Sequence, residues 1–198
     1  CAHVEAGLRS FDREMPEEIN RILTDSVADL LLTPSPDGDE NLRAEGVDES
    51  RIHRVGNVMI DSLYNNLERA KESRIHTELG ITSEYSILTL HRPSNVDDKE
   101  NFAGIIGALE QIGEKIQLVF PVHPRTEKMA KSFGLFERLN AIPNIILTGP
   151  IGYLDFVALM ANAKLALTDS GGLQEETTAL GIPCITLREN TERPITVI

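Results

Sequence analysis

Basic residues are scarce in this chain. Lys and Arg number 19 against 31 Asp and Glu, a formal net charge of -12 over 198 residues. That balance speaks against a nucleic-acid binder, whose footprint is a basic face. It leaves a nucleotide ligand open, because a pocket needs only a few local cations and backbone N–H groups. Cysteine is scarce too. Cys1 and Cys184 lie far apart and outside any metal-ligand spacing. They read as two reduced, partly buried thiols, which excludes a disulfide scaffold and gives no reason to expect a metal. No apolar run approaches the roughly 20 residues of a membrane span, and no segment reads as a secretory signal. No membrane partner is therefore expected, and the cytoplasm is the expected location. Internal repeats and low-complexity segments are also missing. What is present is ordinary for a globular chain, 41% hydrophobic and 25% charged residues, enough for one large domain or two small ones. The sequence opens at Cys1 inside an apolar stretch and closes at Ile198 in what reads as a helix start. Both ends read as cut, so an internal piece of a longer protein is expected.

Short apolar runs at 30–33, 52–55, 86–90, 117–122, 144–147, 164–168 and 183–187 alternate with amphipathic stretches. Continuous apolar runs of this length suit strands buried on both faces of a parallel sheet. Pro16-Glu17-Glu18 opens a helix, since Pro suits the first turn and carboxylates complement the positive dipole end. Ile19, Ile22, Leu23 and Val27 would form its buried stripe. Further helices are expected over 61–73, with Leu63, Leu67 and Ala70 inward, and over 98–114, 126–134, 153–162 and 172–180. Strand–helix alternation at this spacing predicts an α/β fold with right-handed crossovers. The best boundary lies near Gly56-Asn57, giving 1–57 as the tail of one α/β domain and 58–198 as most of a second. Ligands of such folds bind where loops leave the carboxyl ends of strands.

Five such loops carry candidate chemistry. In C-A-H-V-E-A-G-L-R-S (1–10) a strand end runs into Glu5, and Glu17 and Glu18 follow at the helix start. Two carboxylates in one cleft could serve as acid and base; alternatively Glu17 and Glu18 only cap the helix, with Arg21 at ion-pair spacing. In L-T-L-H-R-P-S-N (88–95), His91 and Arg92 stand at a strand end and suit an anion, or form a plain surface pair. The arrangement recurs in F-P-V-H-P-R-T (120–126) with His123, where Pro124 would account for a rigid turn without any ligand. In L-A-L-T-D-S-G-G-L-Q-E-E (165–176), Ser170, Gly171 and Gly172 would present free N–H groups at a helix N-terminus, an anion cradle. Glu176, a turn further on, could accept two ribose hydroxyls; the bland reading is a tight turn capped by Ser170. In T-L-R-E-N-T-E-R-P (186–194), Arg193 could reach a phosphate bidentately, or the loop is simply solvated.

Taken together, in this order, H-V-E-A-G-L-R-S (3–10), P-E-E-I-N-R (16–21), G-N-V-M-I-D (56–61), H-R-P-S-N (91–95), P-V-H-P-R-T (121–126), T-D-S-G-G-L-Q-E-E (168–176) and R-E-N-T-E-R-P (188–194) resemble the non-hydrolysing UDP-N-acetylglucosamine 2-epimerases over essentially the whole chain. The resemblance implies two Rossmann-like domains in the GT-B arrangement, the first only partly present. It implies elimination of UDP across carbons 1 and 2, giving 2-acetamidoglucal, and re-addition with a proton on the opposite face, with neither metal nor nicotinamide. Carried over residue by residue, Glu5 and Glu17 are the acid/base candidates and His91 lies near the diphosphate. Ser170, Gly171 and Gly172 cradle phosphate, Glu176 holds the ribose, and Arg193 lies near the nucleotide. In some bacterial members a second UDP-N-acetylglucosamine binds as an allosteric activator, and Arg92 and His123 match residues of that site. Pro93-Ser94 here replaces the Arg-Glu often found there. A UDP-sugar is the implied partner, and a homodimer is implied for the full-length protein. A GT-B glycosyltransferase would share the domain plan and the glycine turn, but the H-V-E-A-G loop with its P-E-E helix speaks against it. A hydrolysing epimerase, an epimerase acting on a modified UDP-sugar and a fragment that only binds UDP are the other readings.

Overall fold

The computed structural model describes residues 1–188, 190–193 and 196. The chain divides into two compact units, residues 1–62 with 189–198, and residues 63–188. The sequence-based division differs in two respects: the boundary falls inside a helix a few residues later, and the last ten residues group with the first unit. The helix start expected at Ile198 lies outside the described residues.

The first unit is a parallel sheet of three strands, β1 (Ala2–Val4), β2 (Leu30–Thr33) and β3 (Ile52–Arg54), side by side in that order. Helix α1 (Pro16–Val27) links the first two strands and α2 (Pro36–Ala44) the next two. Proline opens both helices, where the missing N–H costs no intrahelical bond. Ala6, Ala28, Leu31, Leu42 and Ile52 form the core.

The second unit begins within α3 (Val58–Ala70), where Asn57 Oδ1 accepts from the Met59 N–H at 2.9 Å. Then come α4 (Ile75–Glu78), β4 (Tyr85–Thr89), α5 (Pro93–Val96), α6 (Lys99–Gly113), β5 (Gln117–Pro121), α7 (Pro124–Ser132) and α8 (Phe136–Asn140). β6 (Ile145–Thr148), α9 (Tyr153–Ala161), β7 (Leu165–Thr168), α10 (Gly171–Leu180) and β8 (Cys184–Thr186) complete it. All five strands are parallel, in the order β6-β5-β4-β7-β8. Numbered within the unit this is 3-2-1-4-5, and the order reverses between β4 and β7, the point at which doubly wound sheets open a ligand crevice. Strand β4 is central and buried almost throughout, as its unbroken apolar run requires. Phe102 on α6 and Phe120 on β5 are fully buried in the core, each worth roughly 1.5–3 kcal/mol relative to exposure.

The parallel α/β architecture expected from the alternation is present in both units, and most boundaries move by one or two residues. Helix α7 starts two residues early because Pro124 takes its first position and His123 is the cap. Helix α3 starts three residues early because Asn57 supplies the cap. Helices α2, α4, α5 and α8 were not anticipated, being short and polar or weakly periodic. The stripe expected on α1 is corrected. Leu23 and Val27 are 59% and 73% exposed, whereas Glu18 and Asp25 are buried on the inner face. Among the described residues, no helix is long and apolar enough to cross a membrane.

The end of α6 packs against the chain entering β6. A Cβ on Gly113 would lie 2.4 Å from the Pro143 carbonyl oxygen and 2.8 Å from Ile142 Cγ2. Gly113→Ala is therefore expected to cost roughly 1–3 kcal/mol through overpacking. A thermal melt checks this, each kcal/mol lowering Tm by about 2–4 °C in a chain this size.

Candidate active site

In the first unit the loop leaving β1 turns sharply. Glu5 has φ 65 and Gly7 φ 79, so two residues of five adopt left-handed backbone. For glutamate that conformation costs about 1–2 kcal/mol, and it is held by what surrounds it. At Gly7 the chain passes so close to α2 that a Cβ would lie 2.3 Å from the Gly38 carbonyl oxygen, and Asn41 Nδ2 donates to the Gly7 carbonyl at 2.9 Å. Only glycine fits there.

Two carboxylates on α1 anchor this loop from behind. Asp25 accepts from the Gly7 N–H at 3.1 Å, from His3 Nδ1 at 2.6 Å and from Arg9 Nη2 at 2.7 Å. Arg9 is buried and also bonds Glu45 through Nε and Nη2, both at 2.7 Å. Glu18 accepts from the Ser10 N–H at 2.9 Å, the Ser10 hydroxyl at 3.0 Å, the Phe11 N–H at 3.0 Å and Arg21 Nη2 at 2.7 Å. Successive residues of a helix are about 100° apart, so Glu18 and Asp25, seven apart, share one face. Glu17 points elsewhere and is exposed. Of the capping and ion-pairing roles considered for Glu17 and Glu18, Glu18 makes the ion pair with Arg21, and its remaining bonds go to the Ser10–Phe11 loop and not to the helix end. Burial pushes the Glu18 pKa up, but the Ser10 N–H, Arg21 and Phe11 outweigh it and hold the group below the ordinary carboxylate range. Glu5 itself receives a hydrogen bond from Arg193 Nη2 at 3.1 Å within the same unit. That pairing was not anticipated from the sequence, which placed Arg193 near a phosphate; Glu189 and Pro194 of its motif lie outside the described residues.

In the second unit the loops leaving β4 and β7 meet at the point where strand order reverses. Asp169, fully buried, follows β7 directly. Its Oδ2 accepts from the His91 N–H at 2.9 Å, the Arg92 N–H at 2.8 Å and Asn95 Nδ2 at 3.0 Å. Its Oδ1 faces His91 Nδ1 at 2.9 Å. Burial raises its pKa, but the His91 side chain and the two N–H groups win and keep it ionised below the usual range. Asn95 also donates to the Leu187 carbonyl at 2.8 Å, tying in the loop after β8. Beneath them the Thr89 and Thr168 hydroxyls bridge the two strands at 2.6 Å.

The next residue, Ser170, caps α10; its N–H donates to Thr168 Oγ1 at 2.9 Å and its hydroxyl receives the Leu173 N–H at 3.5 Å. The first-turn N–H groups of Gly171 and Gly172 have no carbonyl four residues back inside the helix, which makes this end suited to an anion. Glu176 is buried on the same helix. Burial raises its pKa, a hydrogen bond from the Tyr153 hydroxyl at 3.4 Å works against that, and neighbouring Glu175 adds to the rise. His123 caps α7, its Nδ1 accepting the Arg125 N–H at 3.1 Å, and its ring centroid lies 5.6 Å from that of His91. An open depression lined by Gly104, Gly107, Glu110 and Arg138 among others includes none of these groups.

Two all-parallel α/β units, one of doubly wound order with a serine-glycine turn at its reversal point, define the class of the chain. The family described as UDP-N-acetylglucosamine 2-epimerase matches residues 1–198, and the chain belongs to that family. It is 48% identical over 202 residues to a UDP-N-acetylglucosamine 2-epimerase of Methanocaldococcus jannaschii, covering 99% of this chain and 55% of the relative. It is 41% identical over 196 residues to the UDP-2,3-diacetamido-2,3-dideoxy-D-glucuronate 2-epimerase of Pseudomonas aeruginosa, covering 96% and 52%. Among solved structures, the M. jannaschii UDP-GlcNAc 2-epimerase in complex with UDP-GlcNAc and UDP superposes with a TM-score of 0.94 at 48% identity, over 99% of this chain and 55% of that one. The chain thus spans about half the length of these relatives.

Because Glu18 ionises more easily folded than unfolded, its contribution is present above the unfolded value of about 4.5 and is lost as pH falls through the lower folded value. Glu18→Gln should cost about 3 kcal/mol at neutral pH and flatten the acid limb of the stability profile. Urea unfolding across the acid range checks both.

Proposed function

We propose that this chain is the part of a UDP-N-acetylglucosamine 2-epimerase that carries one acid/base pair and the UDP site. In this reading UDP-N-acetylglucosamine is converted reversibly to UDP-N-acetylmannosamine. The proton at carbon 2 leaves with UDP from carbon 1, 2-acetamidoglucal forms, and UDP adds back with a proton on the other face. The observation that carries the reading is the full-length family match together with 48% identity to a relative named for this activity. The geometry supports it. Glu5 sits at a strained loop apex and Glu17 is exposed on α1, which suits groups that must exchange protons. His91 would face the leaving diphosphate. Ser170 and the N–H groups of Gly171 and Gly172 would hold phosphate, with Arg193 as a further cation near the nucleotide. Glu176 would accept the ribose hydroxyls. Arg92 and His123, the latter beside His91, would belong to a second UDP-N-acetylglucosamine site if the protein is activated allosterically. A homodimer is proposed for the full-length protein.

A second reading has an observation of its own. The 41% identical Pseudomonas relative is named for a diacetamido glucuronate, so a modified UDP-sugar is the alternative substrate for the same chemistry.

Proton NMR of the full-length protein with UDP-N-acetylglucosamine in heavy water tests the proposal. Exchange of the carbon 2 proton and growth of a manno-configured UDP-sugar are expected. Glu5→Gln and Glu17→Gln should each slow turnover by roughly 100-fold or more while leaving UDP affinity within a few-fold. An unchanged spectrum from a folded, UDP-binding protein would sink this substrate and turn the test to the modified sugar.

Glu176 gives a pH signature. Its pKa is raised without ligand, whereas ribose hydroxyls favour its ionised form, so UDP binding should weaken as pH falls through that raised value. Glu176→Gln is expected to lose roughly 10–100-fold in UDP affinity, the range for hydrogen bonds to a charged group, and to lose this pH dependence. Calorimetric titration with UDP at several pH values checks it.

A further inference from the structure

We propose that Asp169 is the positioning residue of His91: it fixes the imidazole as the Nδ1–H tautomer and holds the loop after β4 in register with the serine-glycine turn after β7. The inference rests on the functional reading above for what His91 does, but its own content is geometric.

The two oxygens of Asp169 are used differently. Oδ2 collects three donors, the His91 N–H at 2.9 Å, the Arg92 N–H at 2.8 Å and Asn95 Nδ2 at 3.0 Å. The two backbone N–H groups can only donate, and Asn95 is kept from turning its oxygen inward by its second bond to the Leu187 carbonyl, so that position must be occupied by an accepting oxygen. Oδ1 lies 2.9 Å from His91 Nδ1, an ion-pair contact whose angle falls outside that of a hydrogen bond, and it has no other polar partner. An ionised carboxylate can only accept, so Nδ1 must carry the proton and Nε2 is the atom left for a ligand. Asp169 has no exposed surface and sits one residue before the Ser170 cap. The carboxylate that faces the ring therefore also ties the His91 backbone to the turn proposed to hold phosphate, and through Asn95 to the Leu187 carbonyl after β8.

Neighbouring His123 differs in kind. Its Nδ1 accepts the Arg125 N–H, so its proton sits on Nε2. The adjacent rings thus present opposite hydrogen-bonding character, an acceptor on His91 and a donor on His123. Asp169 sets only the first.

Asp169→Asn makes the inference testable through a forced rearrangement. The asparagine oxygen has to take the Oδ2 position, because three donors converge there. Its NH2 group must then point at His91 Nδ1, which becomes an acceptor, and the proton moves to Nε2. The experiment is nitrogen-15 NMR of imidazole-labelled full-length protein, at a pH where the ring is neutral. The His91 signals are assigned by their absence from His91→Gln. The result expected is Nδ1–H in the native protein and Nε2–H in Asp169→Asn. In parallel kcat should fall roughly 100-fold or more, the scale of a misplaced acid–base group, with UDP affinity changed only a few-fold. In a His91→Gln background the second substitution should cost little more, as coupled residues require. A native ring protonated on Nε2 overturns the inference even if the variant fails to fold. So does an unchanged tautomer in a folded Asp169→Asn, or a loss that adds in full to that of His91→Gln. If the native protein shows the expected tautomer and switch but no epimerisation of either sugar, the functional reading fails and the role of Asp169 stands.

Discussion

Burying a carboxylate costs several kcal/mol unless donors surround it, and each α/β unit meets that demand with the loop that carries its candidate chemistry. Asp25 and Glu18 draw in the backbone and side chains of residues 3–11. Asp169 draws in those of residues 91–95. In both cases the donors include main-chain N–H groups, so the loop cannot leave without stranding a buried charge. The half-exposed residues at the loops, Glu5 and His91, are thereby placed by groups hidden behind them. Rigidity at the carboxyl ends of the strands follows from this arrangement more than from the strands themselves.

Much of the scaffold was legible because parallel strands buried on both faces leave continuous apolar runs. Residues 86–88 and 118–120 could hardly be read otherwise. The anchors were harder to see. The pattern on α1 looks like an apolar stripe through Ile19, Ile22, Leu23 and Val27, but the face it packs inward is lined by Glu18 and Asp25. Hydrophobic periodicity has no means of registering a helix whose inner face is polar because a loop feeds it hydrogen bonds. Spacing would have given the hint: Glu18 and Asp25 are seven apart, and Asp25 is an acid just before a strand. Asp169 was equally visible, as the charge that ends an apolar strand one residue before Ser-Gly-Gly. A charge in that position is buried by the turn that follows it. The pairing of Arg193 with Glu5 links residues 188 positions apart, and no local pattern predicts it.

The order of strands matters for what the second unit can hold. Reversal between β4 and β7 sends the following connections to opposite faces of the sheet, the position at which doubly wound folds take their ligands. His91 and Ser170 follow these two strands, which the Thr89–Thr168 bridge and Asp169 join. The helix N-terminus proposed to take an anion and the loop that carries the imidazole are thus tied together through Asp169. That fold-level placement is shared by many doubly wound proteins and does not choose a reaction. The carboxylates proposed above as acid and base lie in the first unit.

There the adjacent acids on α1 separate by environment. A group that gives and takes a proton in each turnover has to exist in both states at comparable cost. Glu18 does not, because four donors hold it ionised and protonation would break the bonds that fix Ser10 and Phe11. Glu17, rotated about 100° around the helix, lies outside that set and keeps solvent access. Glu5 combines access with a left-handed backbone that the surrounding loop enforces. Chemistry on a sugar carbon that loses and regains a proton on opposite faces needs two such groups, each anchored by its neighbours and left ionisable itself. Glu5 and Glu17 are the residues proposed for that role, while Glu18, held by Ser10, Phe11 and Arg21, belongs to the scaffold of the loop.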